Sequence, residues 1–399
     1  MSHDQTRRTN LLTVLGVSGL AGCLSASSPP SGSSNVEETP TTNLPRLSVR
    51  DNRFVTPDGA AVTLRGVSII DPERAATTPH RGRTSSEVVT HLTDANAGWH
   101  PSVIRIPVQP VDIGDHKHGT APTPPAFTTA ELETYLTTYL DPLIEQCAEK
   151  NVYVIIDFHR DGQAIRWASL SENTINSELQ AEAVTFWEAV AGRYKSSDHV
   201  LFEVYNEPTE PGMWGPTSDP QTQAIWQLFL KFVQPIVDTI REQSDSIAIV
   251  GSPGWSSSPE GALIEPVAGG NLAYSYHVYP GHDVSAAHAW DGKTDDGGGV
   301  ESMYESYPLF VTEFGWRDYD DPWLGGTTSG FGEPFMRWVE SHDAINWTAW
   351  CADVWWDPAM FVQDSETGEW LLRGRDGGSD EDAGEYIRQQ LATAADDTR

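Results

Sequence analysis

Eight short runs of β-branched and aromatic residues, spaced between helical patterns, leave this chain few folds to choose from. They fall at about 62–69, 102–108, 152–158, 200–206, 246–251, 272–279, 308–314 and 345–351. Several, such as Val152-Tyr-Val-Ile-Ile156, are apolar without alternation, as in strands buried on both faces. Two of the intervening helices open with capping boxes, Thr84-Ser-Ser-Glu87 and Thr128-Thr-Ala-Glu131. The stretch 180–194 has helical apolar spacing, and 384–395 reads as a closing helix. Ahead of them, Leu47-Ser-Val and Arg53-Phe-Val-Thr flank Asp51-Asn52 as a small hairpin. The pattern predicts an α/β chain folded as a (β/α)8 TIM barrel with a short N-terminal β-hairpin.

In such folds chemistry gathers at the C-terminal ends of the strands, and here those ends are polar. The run Val200-Leu-Phe-Glu-Val-Tyr-Asn-Glu-Pro208 stops at a proline that cannot donate to a ladder, leaving Asn206 and Glu207 at its tip. Glu313 closes Leu309-Phe-Val-Thr-Glu313, with Gly315 just beyond. Arg105 is a charge inside Ile104-Arg-Ile-Pro107, the third run ends Asp157-Phe-His159, and the eighth holds Trp350. His277 and Tyr279 lie two apart, on one face of their strand. Any of these alone reads as a satisfied core residue. Recurring at one end of six strands, they are too costly to bury without purpose. Two glutamates at two strand ends are the minimum needed to split a glycosidic bond.

Asn206-Glu207-Pro208, Glu313 within Val311-Thr-Glu-Phe-Gly315, Arg105, His159, His277-Val-Tyr279 and Trp350 together resemble glycoside hydrolase family 5, the cellulase family. The resemblance covers roughly residues 47–395. It implies a retaining enzyme in which Glu207 is the general acid/base and Glu313 the nucleophile. Asn206 would bond the sugar 2-hydroxyl, and Arg105 and Tyr279 would sit beside Glu313. His159 and His277 would contact the sugar or the acid/base, and Trp350 would be the sugar platform, with Trp347 its rival. No metal and no cofactor is required. His116 and His118, beside Asp112 and Asp115, read as a solvated loop. The expected partner is a β-linked polysaccharide or oligosaccharide. The expected activity is an endo-β-1,4-glucanase, with β-1,4-mannanase as the alternative. A non-catalytic, lipid-anchored carbohydrate-binding protein is the reading from a different class, and the paired glutamates argue against it. The segment after His159 and the acidic loop 281–299 depart from the family pattern as it borders the groove.

Composition adds a setting. The formal charge is −32, from 57 acidic and 25 basic residues of which five are Lys. Such a surface argues against nucleic acid or an anionic membrane surface as partner and suits a protein kept soluble in concentrated salt. The start, with Arg7-Arg8 and an apolar run to Leu20-Ala-Gly-Cys23, resembles a twin-arginine signal ending in a lipobox. Residues 1–22 are therefore expected to be removed, Cys23 to be lipidated, and 23–46, rich in Ser, Pro and Thr, to tether a catalytic domain of 47–399. The expected location is extracellular or at the cell surface, the only membrane contact is the lipid, and the expected state is a monomer. Cys147 and Cys351 read as buried free thiols. Of the fifteen Trp, eight fall in predicted loops (167, 214, 255, 290, 316, 323, 355 and 356), and three or four of these are expected to line a substrate groove.

Overall fold

The computed structural model describes residues 42–160, 165–282, 290–292 and 298–397. The predicted signal, Cys23 and most of the tether lie outside these residues. So do 161–164 after His159 and most of the acidic loop 281–299. Eight parallel strands close into a barrel: β1 (Arg65–Ser68), β2 (Val103–Val108), β3 (Tyr153–Phe158), β4 (Val200–Glu203), β5 (Ala248–Val250), β6 (Leu272–Val278), β7 (Leu309–Phe314) and β8 (Asn346–Ala349). Each coincides with one of the predicted runs. After β4 the ladder continues past the assigned strand: Val204 N donates to Ile249 O, and Asn206 N to Phe158 O.

Helices follow most strands, and the principal ones are Ser85–Thr93, Ser177–Tyr194, Pro220–Gln243, Glu333–Glu340 and Ala383–Asp397. Both predicted capping boxes form, with Thr84 and Thr128 each exchanging bonds with the glutamate three residues on. Between β5 and β6 the crossover holds only the short 3-10 turn Pro259–Leu263. Among the described residues no helix is long and apolar enough to cross a membrane.

Strand alternation divides the core in two. Ile104, Ile106, Val154, Ile156 and Val311 face outward and pack against the helices. Val103, Tyr153, Ile155, Leu201, Ile249, Ala273 and Phe310 face inward and fill the lower barrel. The hairpin, Ser48–Arg50 against Arg53–Val55, plugs that end with Leu47 and Phe54, and Asp51 supplies its left-handed turn residue at φ 55°. Packing begins before Leu47: Leu44 joins the same cluster, and Arg46 pairs with Asp198 at 2.8 Å.

Above the apolar layer the same alternation brings Arg105, Asp157, Glu203, Ser275 and Thr312 into the barrel, all fully buried. Between β6 and β7 the register slips after Ser275↔Phe310, so that His277 pairs with Glu313. The slip gives β7 one extra residue, which is a bulge and lets consecutive residues Thr312 and Glu313 both turn inward. Gly315, just beyond, sits under the Trp350 carbonyl, which a Cβ there would meet at 2.7 Å. Close approach, not a left-handed turn, is what demands glycine at this position.

Candidate active site

Arg105 is the hub of the polar layer. Its Nε donates to Glu203 Oε2 at 2.6 Å and its Nη1 to Glu313 Oε1 at 2.8 Å. Its Nη2 reaches Asn206 Oδ1 at 2.7 Å and Asp157 Oδ2 at 2.9 Å. A fork of planar donors suits Arg and not Lys to this place. One guanidinium thus faces three buried carboxylates.

Glu313, 6% exposed, has its second oxygen bonded by the Tyr279 hydroxyl at 2.8 Å. Glu207, 23% exposed, stands across the opening, with Oε1 2.9 Å from His277 Nδ1. The ligating atoms of Glu207, His277 and Glu313 all lie within 4.8 Å of one another. Such a trio is compact enough for a cation, yet both oxygens of Glu313 and one of Glu207 already have protein partners. The two carboxylates therefore differ by environment. Burial pushes Glu313 up, but the His277 ring and the Arg105 guanidinium outweigh it and hold the carboxyl below its ordinary range. For Glu207 burial wins, the nearby Glu313 charge adds to it, and the carboxyl is raised. One group is built to stay ionised and the other to keep a proton, as paired acid and base roles require.

His159 Nδ1 donates to Asp157 Oδ2 at 2.5 Å, and its ring lies 5.5 Å from Trp350, parallel within 5°. Trp356 lies parallel to both rings, 5.6 Å from Trp350 and 6.1 Å from His159. The Arg105 guanidinium sits 5.9 Å from the Trp350 ring. Trp347, in contrast, turns away from the site: it is fully buried, packs on Phe314 and donates to Glu340 Oε1.

All eight expected site residues, Arg105, His159, Asn206, Glu207, His277, Tyr279, Glu313 and Trp350, thus meet at the C-terminal mouth of the barrel. Glu203, Thr312 and Ser275 complete the arrangement and were not among the expected ones. His116 and His118 stand apart: Asp112 is held by Arg74 at 2.9 Å, His118 reaches it only at 3.4 Å, and His116 bonds the Ala126 carbonyl. Of the eight loop tryptophans, Trp167 and Trp316 are core, while Trp214, Trp323 and Trp355 are exposed. Cys147 and Cys351 are free and buried.

A closed parallel barrel with two unequal carboxylates at the ends of β4 and β7 is an arrangement suited to splitting glycosidic bonds. Residues 55–354 match the family described as Cellulase (glycosyl hydrolase family 5), and the chain belongs to that family. Endoglucanase A of Butyrivibrio fibrisolvens is 26% identical over 280 residues, 69% of this chain and 53% of that protein. Cellulase CelDZ1 of a Thermoanaerobacterium species is 28% identical over 219 residues, 52% of this chain and 50% of that protein. The chain thus spans about half the length of the curated relatives it matches. Among solved structures, a beta-glucanase of Saccharophagus degradans in complex with cellotetraose superposes with a TM-score of 0.64 at 19% identity, covering 90% of this chain and 96% of that one. The catalytic domain of Thermobifida fusca endoglucanase Cel5A, also with cellotetraose, gives 0.58 at 22%, covering 87% and 97%. These likenesses are of fold.

Proposed function

We propose that this protein is an endo-acting β-1,4-glucanase that cleaves by double displacement. The observation that carries the reading is the closeness of the two glutamates, one oxygen of each lying within 4.8 Å of the other. Retaining glycosidases hold their carboxyl groups about 5–5.5 Å apart, whereas inverting ones leave about 6.5–9.5 Å for a water. The names of the relatives, endoglucanase and cellulase, support β-linked glucan as substrate.

In the first step a Glu313 oxygen attacks the anomeric carbon while the Glu207 proton passes to the departing glycosidic oxygen. The bond to the leaving sugar breaks and a glycosyl ester on Glu313 forms. In the second step Glu207, now ionised, takes a proton from water as that water attacks the same carbon and frees Glu313. Asn206 is held by Arg105 to meet the sugar 2-hydroxyl, Tyr279 steadies Glu313, and Trp350 with His159 forms the wall against which the reacting ring lies. Export by the Arg7-Arg8 signal, lipidation at Cys23 and adaptation to salt belong to the same proposal and rest on the sequence.

Reducing-sugar release from carboxymethylcellulose, mannan and xylan in molar salt tests it. Wild type should act selectively on the glucan, and Glu207→Ala and Glu313→Ala should lose nearly all of that activity. Preference for mannan would replace the substrate. Sugar binding without hydrolysis of any polymer would overturn the reading.

A further inference from the structure

Glu203 is a fully buried carboxylate, and it lies between the partners of both glutamates, Arg105 and His277. Its Oε2 takes the Arg105 bond, and its Oε1 accepts from Thr312 Oγ1 at 2.7 Å and from Ser275 Oγ at 3.2 Å. Thr312 and Ser275 also touch each other through their hydroxyls. An ionised carboxylate only accepts, and each hydroxyl has a single hydrogen to give. Thr312 Oγ1 lies nearer to Glu203 Oε1, at 2.7 Å, than to His277 Nε2, at 3.0 Å, and the charged acceptor draws its one hydrogen. Thr312 Oγ1 is then left with a lone pair for His277 Nε2, 3.0 Å away. With the Thr312 hydrogen on Glu203, that ring atom is the donor. Nδ1, on the opposite side, faces Glu207 Oε1.

We propose that Glu203 is a positioning residue for Glu207: acting through Thr312, it fixes His277 with hydrogen on Nε2 and supports a second hydrogen on Nδ1, donated to Glu207 Oε1. The inference rests on the reading of Glu207 as the acid/base. With Oε1 accepting from the ring, the acid proton of Glu207 is confined to Oε2, the oxygen left for the substrate. A ring with bare Nδ1 would instead draw the Glu207 hydroxyl to itself and away from the leaving group. The charges around the ring agree. Glu203 on β4 lies 3.6 Å from Nε2, while Glu207 after β4 and Glu313 on β7 lie 2.9 and 3.6 Å from Nδ1. The nearby cations are Arg105 of β2, already shared among three carboxylates, and His159 after β3; His282, beyond β6, is held low by burial and by His277 itself. Burial disfavours charge on His277, yet the surrounding carboxylates prevail and raise its pKa to about 10.

The test combines histidine 15N NMR with leaving-group kinetics in wild type, Glu203→Gln, Thr312→Val and Glu203→Asp. Wild-type His277 should show hydrogen on both nitrogens at neutral pH, and Glu203→Gln should lose the Nδ1 hydrogen. The kcat/KM of Glu203→Gln should fall on the order of 10-fold on cello-oligosaccharides, whose leaving group needs the acid, and little on dinitrophenyl cellobioside, whose leaving group does not. Thr312→Val removes the relay without changing charge and should show the same selectivity, while Glu203→Asp should restore part of the loss. Equal losses on both substrates in folded variants, or a bare Nε2 in the wild-type spectrum, would overturn the inference. A wild type inactive on both substrates would count against the proposed function, and the spectrum would still decide the state of His277.

Discussion

Arg105 Nη1 lies 2.8 Å from Glu313 Oε1, and this pair helps set Glu313, whose pKa is lowered, apart from Glu207, whose pKa is raised. The same arginine spans β2, β3, β4 and β7 through its contacts with Asp157, Glu203 and Glu313. Removing one member of a buried ion pair costs about 3–5 kcal/mol, because the other is left unpaired. Arg105→Gln should therefore lower unfolding free energy by at least that range in urea titrations. Combining it with Glu203→Gln should recover part of the loss. A single variant as stable as wild type would contradict the role given to this hub.

The pKa directions fix the shape of the pH profile. As the proposed nucleophile, Glu313 has to be ionised, so activity should fall as pH drops through its lowered pKa. As the proposed acid, Glu207 has to be protonated, so activity should fall as pH rises through its raised pKa. A bell in kcat/KM follows, with its acid limb below and its alkaline limb above the ordinary carboxyl range. His277 holds both carboxyls down, through its charge at Glu313 and its hydrogen bond at Glu207. His277→Asn should move both limbs to higher pH, the acid one by about 1–3 units. Limbs that stay in place would show that the ring carries no charge at this site.

Trp350 and Trp347 are three residues apart and have separate parts. Trp347 is core, and Trp347→Ala should cost about 3–5 kcal/mol of stability while sparing KM in the folded fraction. Trp350→Ala should instead raise KM and lower kcat on cello-oligosaccharides, because it removes the surface stacked with His159 and Trp356. Steady-state kinetics beside thermal melts separate the two. The reverse pattern would exchange their roles.

Much of this could be read from sequence because barrel strands buried on both faces are long apolar runs, and a polar residue at their ends stands out. Arg105 and Glu203 carry the same signature, a charge inside such a run. Their pairing does not, since they are 98 residues apart in the chain and only barrel closure brings them together. The bulge that turns both Thr312 and Glu313 inward has no composition cue either. Loop tryptophans show why exposure is hard to read: Trp316 donates to the Glu381 carbonyl from a fully buried position, whereas Trp323, seven residues on, is 63% exposed. Both look alike in sequence because the loop packing that separates them is tertiary. Most of the acidic, Gly-rich stretch 374–382 is solvated, but Asp382 is buried against Arg373.

The net charge of −32 implies self-repulsion that counterions relieve. Melting temperature should rise steadily from dilute buffer to molar NaCl. A flat response would remove salt adaptation from the account.

The most direct measurement is mass spectrometry of peptides after incubation with a 2-deoxy-2-fluoro-cellobioside carrying a good leaving group. Such a substrate forms the glycosyl ester and slows its hydrolysis. The account predicts one added cellobiosyl group, located on Glu313 and absent in Glu313→Ala. A label on Glu207 or elsewhere, or turnover of natural substrate to the inverted anomer without any label, would contradict it.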